Sequence, residues 1–177
     1  PPTFANVDTA AEDTALIAFT SGTTGKPKGT MHFHRDVLAA CACFPRSTLK
    51  ASPDDLFTGS PPLAFTFGLG GLLLFPLSIS AATLLVERPA PEFLLPAIAK
   101  YRATVLFTAP TSYRAMAAEV KNHDLSSLKK CVSAGEALPA ATRMLWKEAT
   151  GIDVPKLSAF IETAFAARKS ISPETAT

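Results

Sequence analysis

Charge is scarce and nearly balanced in this chain of 177 residues: 17 Lys and Arg face 15 Asp and Glu, a net +2. That excess is too small for a nucleic-acid-binding face or a polybasic membrane patch. Cysteine is scarce too, with only Cys41, Cys43 and Cys131. An odd count without regular spacing excludes a disulfide scaffold, and Cys41-x-Cys43 lacks both zinc-site spacing and a second pair. All three read as buried thiols in a reducing compartment, the cytoplasm. The opening Pro1-Pro2-Thr3 has no initiator Met, basic segment or apolar segment, so a signal peptide is not expected there and the chain reads as starting inside a longer gene product. A long apolar run is also missing. Leu56–Val86 carries no charged residue, but Pro61, Pro62, Gly68, Gly70, Gly71 and Pro76 interrupt it. A membrane-spanning helix needs about 20 continuous apolar residues.

What is present is a hydrophobic fraction of 47%, enough for a folded core. Residues 1–14 are polar and irregular. Ala15–Thr20 reads as a strand, Ser21–Lys28 as a loop, and Gly29–His34 as the returning strand of a hairpin. Arg35–Phe44 reads as a helix ended by Pro45. Strands are expected near Leu56–Ser60, Ala82–Val86, Val105–Thr108 and Lys130–Ser133. Helices are expected over Gly68–Leu77, Pro91–Tyr101, Thr111–Val120 and Pro139–Glu148, with Gly151 as a stop. Strands alternating with helices of about ten residues predict an α/β fold, a largely parallel sheet with helices on its faces. The core is expected to span 15–154, and the tail 155–177 shows no clear strand alternation.

The chemistry is concentrated in Thr20-Ser21-Gly22-Thr23-Thr24-Gly25-Lys26-Pro27-Lys28-Gly29. The glycines let backbone N–H groups approach an anion. The hydroxyls of Thr20, Ser21, Thr23 and Thr24 can donate to phosphate oxygens, and Lys26 and Lys28 add positive charge. A flexible linker has similar composition, but this loop joins two strand-like runs, and its lysines follow the hydroxyls at close offsets. It is not the Gly-x-x-x-x-Gly-Lys-Ser/Thr loop of kinases and GTPases, because position 20 is Thr and Pro27 follows Lys26.

The run SGTTGKPKG resembles the phosphate-binding signature of the adenylate-forming superfamily, which holds acyl- and aryl-CoA ligases, luciferases and peptide-synthetase adenylation domains. Pro62-Leu63-Ala64-Phe65-Thr66-Phe67-Gly68-Leu69-Gly70 is similar to the family's next motif, and its Phe65-Thr66-Phe67-Gly68 looks like the version found in benzoate-type ligases. Ala103–Met116 and Ser133-Ala134-Gly135-Glu136-Ala137-Leu138-Pro139 resemble the segments that flank the acyl pocket and the adenine. The resemblance covers Leu16 to Val154 and implies part of the large N-terminal domain of an aryl-acid–CoA ligase of the benzoate or 2-aminobenzoate kind. It implies ATP, magnesium and coenzyme A as cofactor and cosubstrates and a small carboxylic acid as substrate. Thr20, Ser21, Gly22, Thr23, Thr24, Gly25, Lys26 and Lys28 would hold phosphates, Gly135 and Glu136 would lie at the nucleotide, and Phe65, Thr66, Phe67 and Gly68 would line the acid pocket.

Other readings of these residues stay open. Phe65 and Phe67 also fit plain core packing, and Glu136 fits a carboxylate before a helix N-terminus. His32 and His34 share one face of a strand at period two, but no third ligand lies at metal spacing, so packing beneath the loop is the expected role. An adenylation domain that loads a carrier protein and a remnant that keeps only nucleotide binding are the competing functions. The resemblance breaks after Val154. Glu162-Thr163 reverses the family's Thr-Glu order and no glycine precedes it, so the magnesium role is not carried over to Glu162. The ribose-binding Asp and the catalytic Lys of the family's lid follow later in its chain order. The 177 residues alone are therefore expected not to complete thioester synthesis, and their apolar surface is expected to drive self-association.

Overall fold

The structure is a computed structural model and describes residues 3–20, 28–154 and 170–171. The chain opens with an antiparallel hairpin, β1 (Thr14–Thr20) and β2 (Lys28–Phe33). β7 (Ser170–Ile171) adds a two-residue rung to the free side of β2, so the tail does supply a short strand. The second sheet is parallel, made of β3 (Leu56–Gly59), β4 (Ala82–Leu84), β5 (Val105–Thr108) and β6 (Lys130–Ser133) in the order β4-β3-β5-β6. The expected α/β class with a parallel sheet is found, while the hairpin forms a sheet of its own.

The side-chain alternation of these strands builds two cores. Phe57, Val105, Phe107 and Val132 pack on one face against Cys41 and Phe44, and against Leu72 and Phe75 of the crossover after β3. Leu106 and Cys131 pack on the other face against Leu94, Leu95 and Ile98 of α4 (Pro91–Tyr101), Tyr113 and Met116 of α5 (Pro110–Ala117), and Trp146 of α6 (Ala140–Thr150). Tyr113 is held in this second core at both ends. Its ring meets that of Trp146 edge-on at 4.9 Å, and its hydroxyl donates to Val132 O at 3.0 Å and to Leu106 O at 3.3 Å.

Several expectations need correction. The α ladder of α1 (His34–Cys43) stops just before Pro45, whose ring and missing N–H break it. The chain does not leave the helix there: it widens into a π-helical turn over Phe44–Thr48, with Leu49 N bonded to Phe44 O at 2.9 Å. The helix expected over Gly68–Leu77 starts earlier, as α2 (Thr66–Leu69), passes a π-helical turn over Gly70–Leu74, and ends as α3 (Phe75–Ser78). His32 and His34 do not share a strand face. β2 stops at Phe33, where Asp36 accepts the backbone N–H at 3.1 Å and starts the helix, so His34 is the first residue of α1 while His32 is buried in β2. Cys41 and Cys131 are buried as expected, but Cys43 is exposed. The helical turn between positions 41 and 43 carries them to different faces.

Candidate active site

The topology creates one crevice at the right end of the sheet for chemistry. The helical crossover from β3 lies on the Phe107 face, and α5, which follows β5, lies on the Leu106 face. Neighbouring strands whose connections leave toward opposite faces open a gap at their carboxyl ends, the usual ligand position in α/β sheets. A cleft of ≈ 400 Å³ occupies this place, formed by Ser60-Pro61-Pro62 after β3, by Phe65, Thr66 and Phe67 at the start of α2, by Ala109 after β5, and by Ala134 and Gly135 after β6. Its volume suits a small ligand, and none of these lining residues is charged.

Each wall has a local cause. Phe67 is half-buried and tilts against Phe107 with ring centroids 5.6 Å apart, which fixes its position. Phe65, in extended conformation just before α2, is 65% exposed and stands at the rim. α2 comes close because Gly68 carries no side chain: a Cβ there would collide with the carbonyl oxygens of Pro61 and Pro62. Gly135 adopts φ +93° in the turn after β6, a left-handed conformation that other residues rarely adopt. Below the cleft, the hydroxyls of Ser60 and Thr108 are 2.5 Å apart. Ser133, next in register to Thr108, is buried.

The structure thus brings Phe65, Thr66, Phe67 and Gly135 together. Gly68 lies behind the wall as a packing residue, and Glu136 is exposed beside the cleft. Of the loop residues, Ser21, Gly22, Thr23, Thr24, Gly25 and Lys26 lie outside the described residues, as do the side chains of Thr20 and Lys28. The backbones of Thr20 and Lys28 pair as the last rung of the hairpin, so the loop springs from a closed strand pair. Ser60 and Ala109 escaped sequence reasoning. The available signal was their place directly after the strands at Leu56 and Val105, at the end where parallel sheets bind ligands. Among the described residues there is no group of three His, Cys, Asp or Glu suited to a metal. A second hollow of ≈ 350 Å³ along α6 includes Arg143, Lys147 and Asp153, but the Arg143 guanidinium is already tied to Asp153 by two bonds of 2.7 Å.

Residues 2–162 match the family model described as AMP-binding enzyme. The chain belongs to this family. Benzoate–CoA ligase of Thauera aromatica is 34% identical over 155 residues, a stretch that covers 85% of this chain and 29% of that protein. Acetyl-coenzyme A synthetase of Citrobacter koseri is 33% identical over 162 residues, covering 86% of this chain and 25% of that protein. The crystal structure of the anthranilate CoA ligase AuaEII in complex with anthranoyl-AMP superposes with a TM-score of 0.79 at 38% identity, covering 87% of this chain and 30% of that one. The chain therefore spans less than a third of the length of these family members. No helix among the described residues is long and apolar enough to cross a membrane.

Proposed function

We propose that the protein carrying this chain activates a carboxylic acid with ATP and transfers the acyl group to coenzyme A. In the first half-reaction a carboxylate oxygen bonds to the α-phosphorus and the bond to pyrophosphate breaks. In the second the thiol sulfur bonds to the acyl carbon, its proton leaves, and AMP departs. The loop from Thr20 to Lys28 holds the β- and γ-phosphates through its hydroxyls and lysines, and the cleft takes the acid. The acid is aromatic, of the benzoate or 2-aminobenzoate class, and the enzyme works in the cytoplasm.

One observation carries this reading: a cleft walled by Phe65 and Phe67 at the carboxyl ends of parallel strands, with no charged side chain among its described lining residues, in a chain that also bears the Ser/Thr/Gly/Lys loop. Flat aromatic walls suit a ring, and the lack of charge disfavours a second carboxylate. ATP–pyrophosphate exchange by the full-length protein tests it. Exchange driven by benzoate or 2-aminobenzoate above that driven by palmitate is the expected result, and a preference for palmitate rejects the aryl assignment. Lys28→Ala is expected to weaken ATP binding by about 1–3 kcal/mol, the worth of a charged hydrogen bond. Calorimetry showing unchanged affinity removes Lys28 from the phosphate site.

A further inference from the structure

The cleft walls are apolar or aromatic almost throughout, yet its floor meets a row of hydroxyls. Gly59 pairs with Phe107 and Thr108 pairs with Ser133 in the parallel register, so Ser60, Thr108 and Ser133 lie side by side at the carboxyl ends of β3, β5 and β6. Thr108 is 0% exposed and Ser133 is 1% exposed. Neither lines the cleft, whereas Ser60 does. Ser60 Oγ and Thr108 Oγ1 are 2.5 Å apart, and either can be the donor. Ser133 Oγ is buried and has no hydrogen-bond partner among the described residues. Buried hydroxyls are nearly always bonded, so this row keeps hydrogen-bonding capacity that the described residues do not use.

We infer that Ser60, oriented by Thr108, is a specificity residue that reads a neutral hydrogen-bonding substituent, an amino or hydroxyl group, on the ring of the bound acid. The inference rests on the acid-binding role proposed for the cleft. A hydroxyl carries one proton and two acceptor lone pairs and rotates freely. When Thr108 donates to Ser60, the Ser60 proton is available to a substituent oxygen. When Ser60 donates to Thr108, a Ser60 lone pair is available to an amino N–H. The pair therefore serves either substituent without a charge, and the uncharged lining penalises a charged one. An unsubstituted ring makes no use of the pair, and hydroxyl sites discriminate through the partner that is missing or present. Among the described lining residues Thr66 is the only other one with a side-chain hydroxyl. It belongs to the α2 wall and has no buried hydroxyl partner in the described structure.

The test is ATP–pyrophosphate exchange by the full-length protein with benzoate, the three aminobenzoates and the three hydroxybenzoates. Ser60→Ala is expected to lower kcat/KM for at least one substituted isomer by about three- to tenfold more than it lowers that for benzoate, the worth of one neutral hydrogen bond. Thr108→Val, a substitution outside the lining, is expected to produce the same selective loss, and Thr108→Ser to restore it. Thr108→Ala takes the place of the valine variant should the valine disturb the sheet. A uniform loss across all acids, or no change in the ratios, overturns the assignment of Ser60 while the aryl-acid cleft stands. Failure of the unmodified protein to use any of these acids overturns the cleft reading and this inference together.

Discussion

Lys130 Nζ lies 2.6 Å from Asp55 Oδ2, a contact that joins the first residue of β6 to the residue just before β3. Thr104, just before the intervening β5, donates its hydroxyl to Asp55 Oδ1 at 2.7 Å and accepts the Leu56 N–H at 2.9 Å. Ser52 N adds a further bond to Asp55 Oδ2 at 2.8 Å. Three strands are thus clamped at their amino ends, opposite the cleft. The Asp55 side chain is 5% exposed and that of Lys130 is 24% exposed. Removing the cation leaves a buried carboxylate without its partner. Lys130→Met is expected to cost about 3 kcal/mol, the low end for breaking a buried pair because Lys130 keeps some contact with water. Urea unfolding, read as a lower midpoint at unchanged slope, checks it.

The same carboxylate gives a pH signature. Burial raises the pKa of Asp55, but Lys130 and the bonds from Ser52 and Thr104 outweigh it and hold it below the ordinary value. A carboxylate depressed in the folded state stabilises the fold above its unfolded pKa of about 3.9, and that contribution is lost as pH falls through the lower folded value. The gap in melting temperature between the unmodified protein and Asp55→Asn is therefore expected to be constant near neutrality and to close below about pH 3.9. A gap that widens in acid would place the carboxyl proton on the wrong side of the folding equilibrium.

The strand–helix rhythm was legible because each buried strand is a short apolar run bounded by Gly, Pro or polar residues, and because Phe93, Leu94, Ala97 and Ile98 recur at helical spacing. The Phe65-Thr66-Phe67 wall was legible from its motif. Ser60, Ala109 and Ala134 were less visible as a group because their meeting is a matter of register between strands about 49 and 25 residues apart in the chain, which no local pattern encodes. Gly68 illustrates the reverse case. Its motif position pointed to the ligand, while its contact is with the carbonyls of Pro61 and Pro62, and only the approach of α2 to that turn shows it.

Gly68 leads to a prediction about that contact. A methyl group in Gly68→Ala must displace either the Pro61-Pro62 turn or the start of α2, both backbone and neither able to yield as a side-chain tip would. The expected cost is about 1–3 kcal/mol, as for other overpacked sites. Because both segments belong to the cleft lining, any acid binding should weaken in the same variant. Thermal unfolding paired with ligand titration measures both, and an unchanged melting temperature would show that α2 does not rest on the turn.

The thiols should separate by reactivity. Cys43 is exposed, whereas Cys41 and Cys131 are buried. Burial raises the pKa of Cys41, and it pushes the Cys131 thiol up to about 12 against weaker opposing bonds from Trp146 and Tyr113. A chromogenic disulfide reagent at neutral pH is expected to modify one thiol quickly and the other two only on unfolding. The sign for stability is the reverse of the Asp55 case. A thiol with a raised folded pKa contributes fully below its unfolded value of about 8.5 and loses that contribution as pH rises toward the folded value. Stability should therefore decline above about pH 8.5, and Cys131→Ala should make the decline shallower while costing some packing at every pH.

The hairpin predicts the state of association. Alternation along β1 sends Leu16 and Ala18 inward and leaves Ile17 51% and Phe19 76% exposed. Among the described residues β1 is an edge strand of its sheet, since β2 occupies one side and β7 lies beyond β2. An edge that combines unpaired backbone groups with large apolar side chains is a template for pairing with a second copy, and no charge on the Leu16–Phe19 stretch opposes it. The 177-residue chain is expected to self-associate through this edge at micromolar concentration or above. Phe19→Lys places a charge on the outer face of the strand, the device natural edges use to stay single, and should shift the chain toward monomer in sedimentation velocity without lowering its melting temperature. The Phe19 ring lies over Gly29, its partner across the pair, yet stays 76% exposed, so its loss should be felt mainly between molecules. Self-association that persists unchanged in Phe19→Lys would move the contact to another exposed group, such as Leu77 or Leu85 beside the parallel sheet.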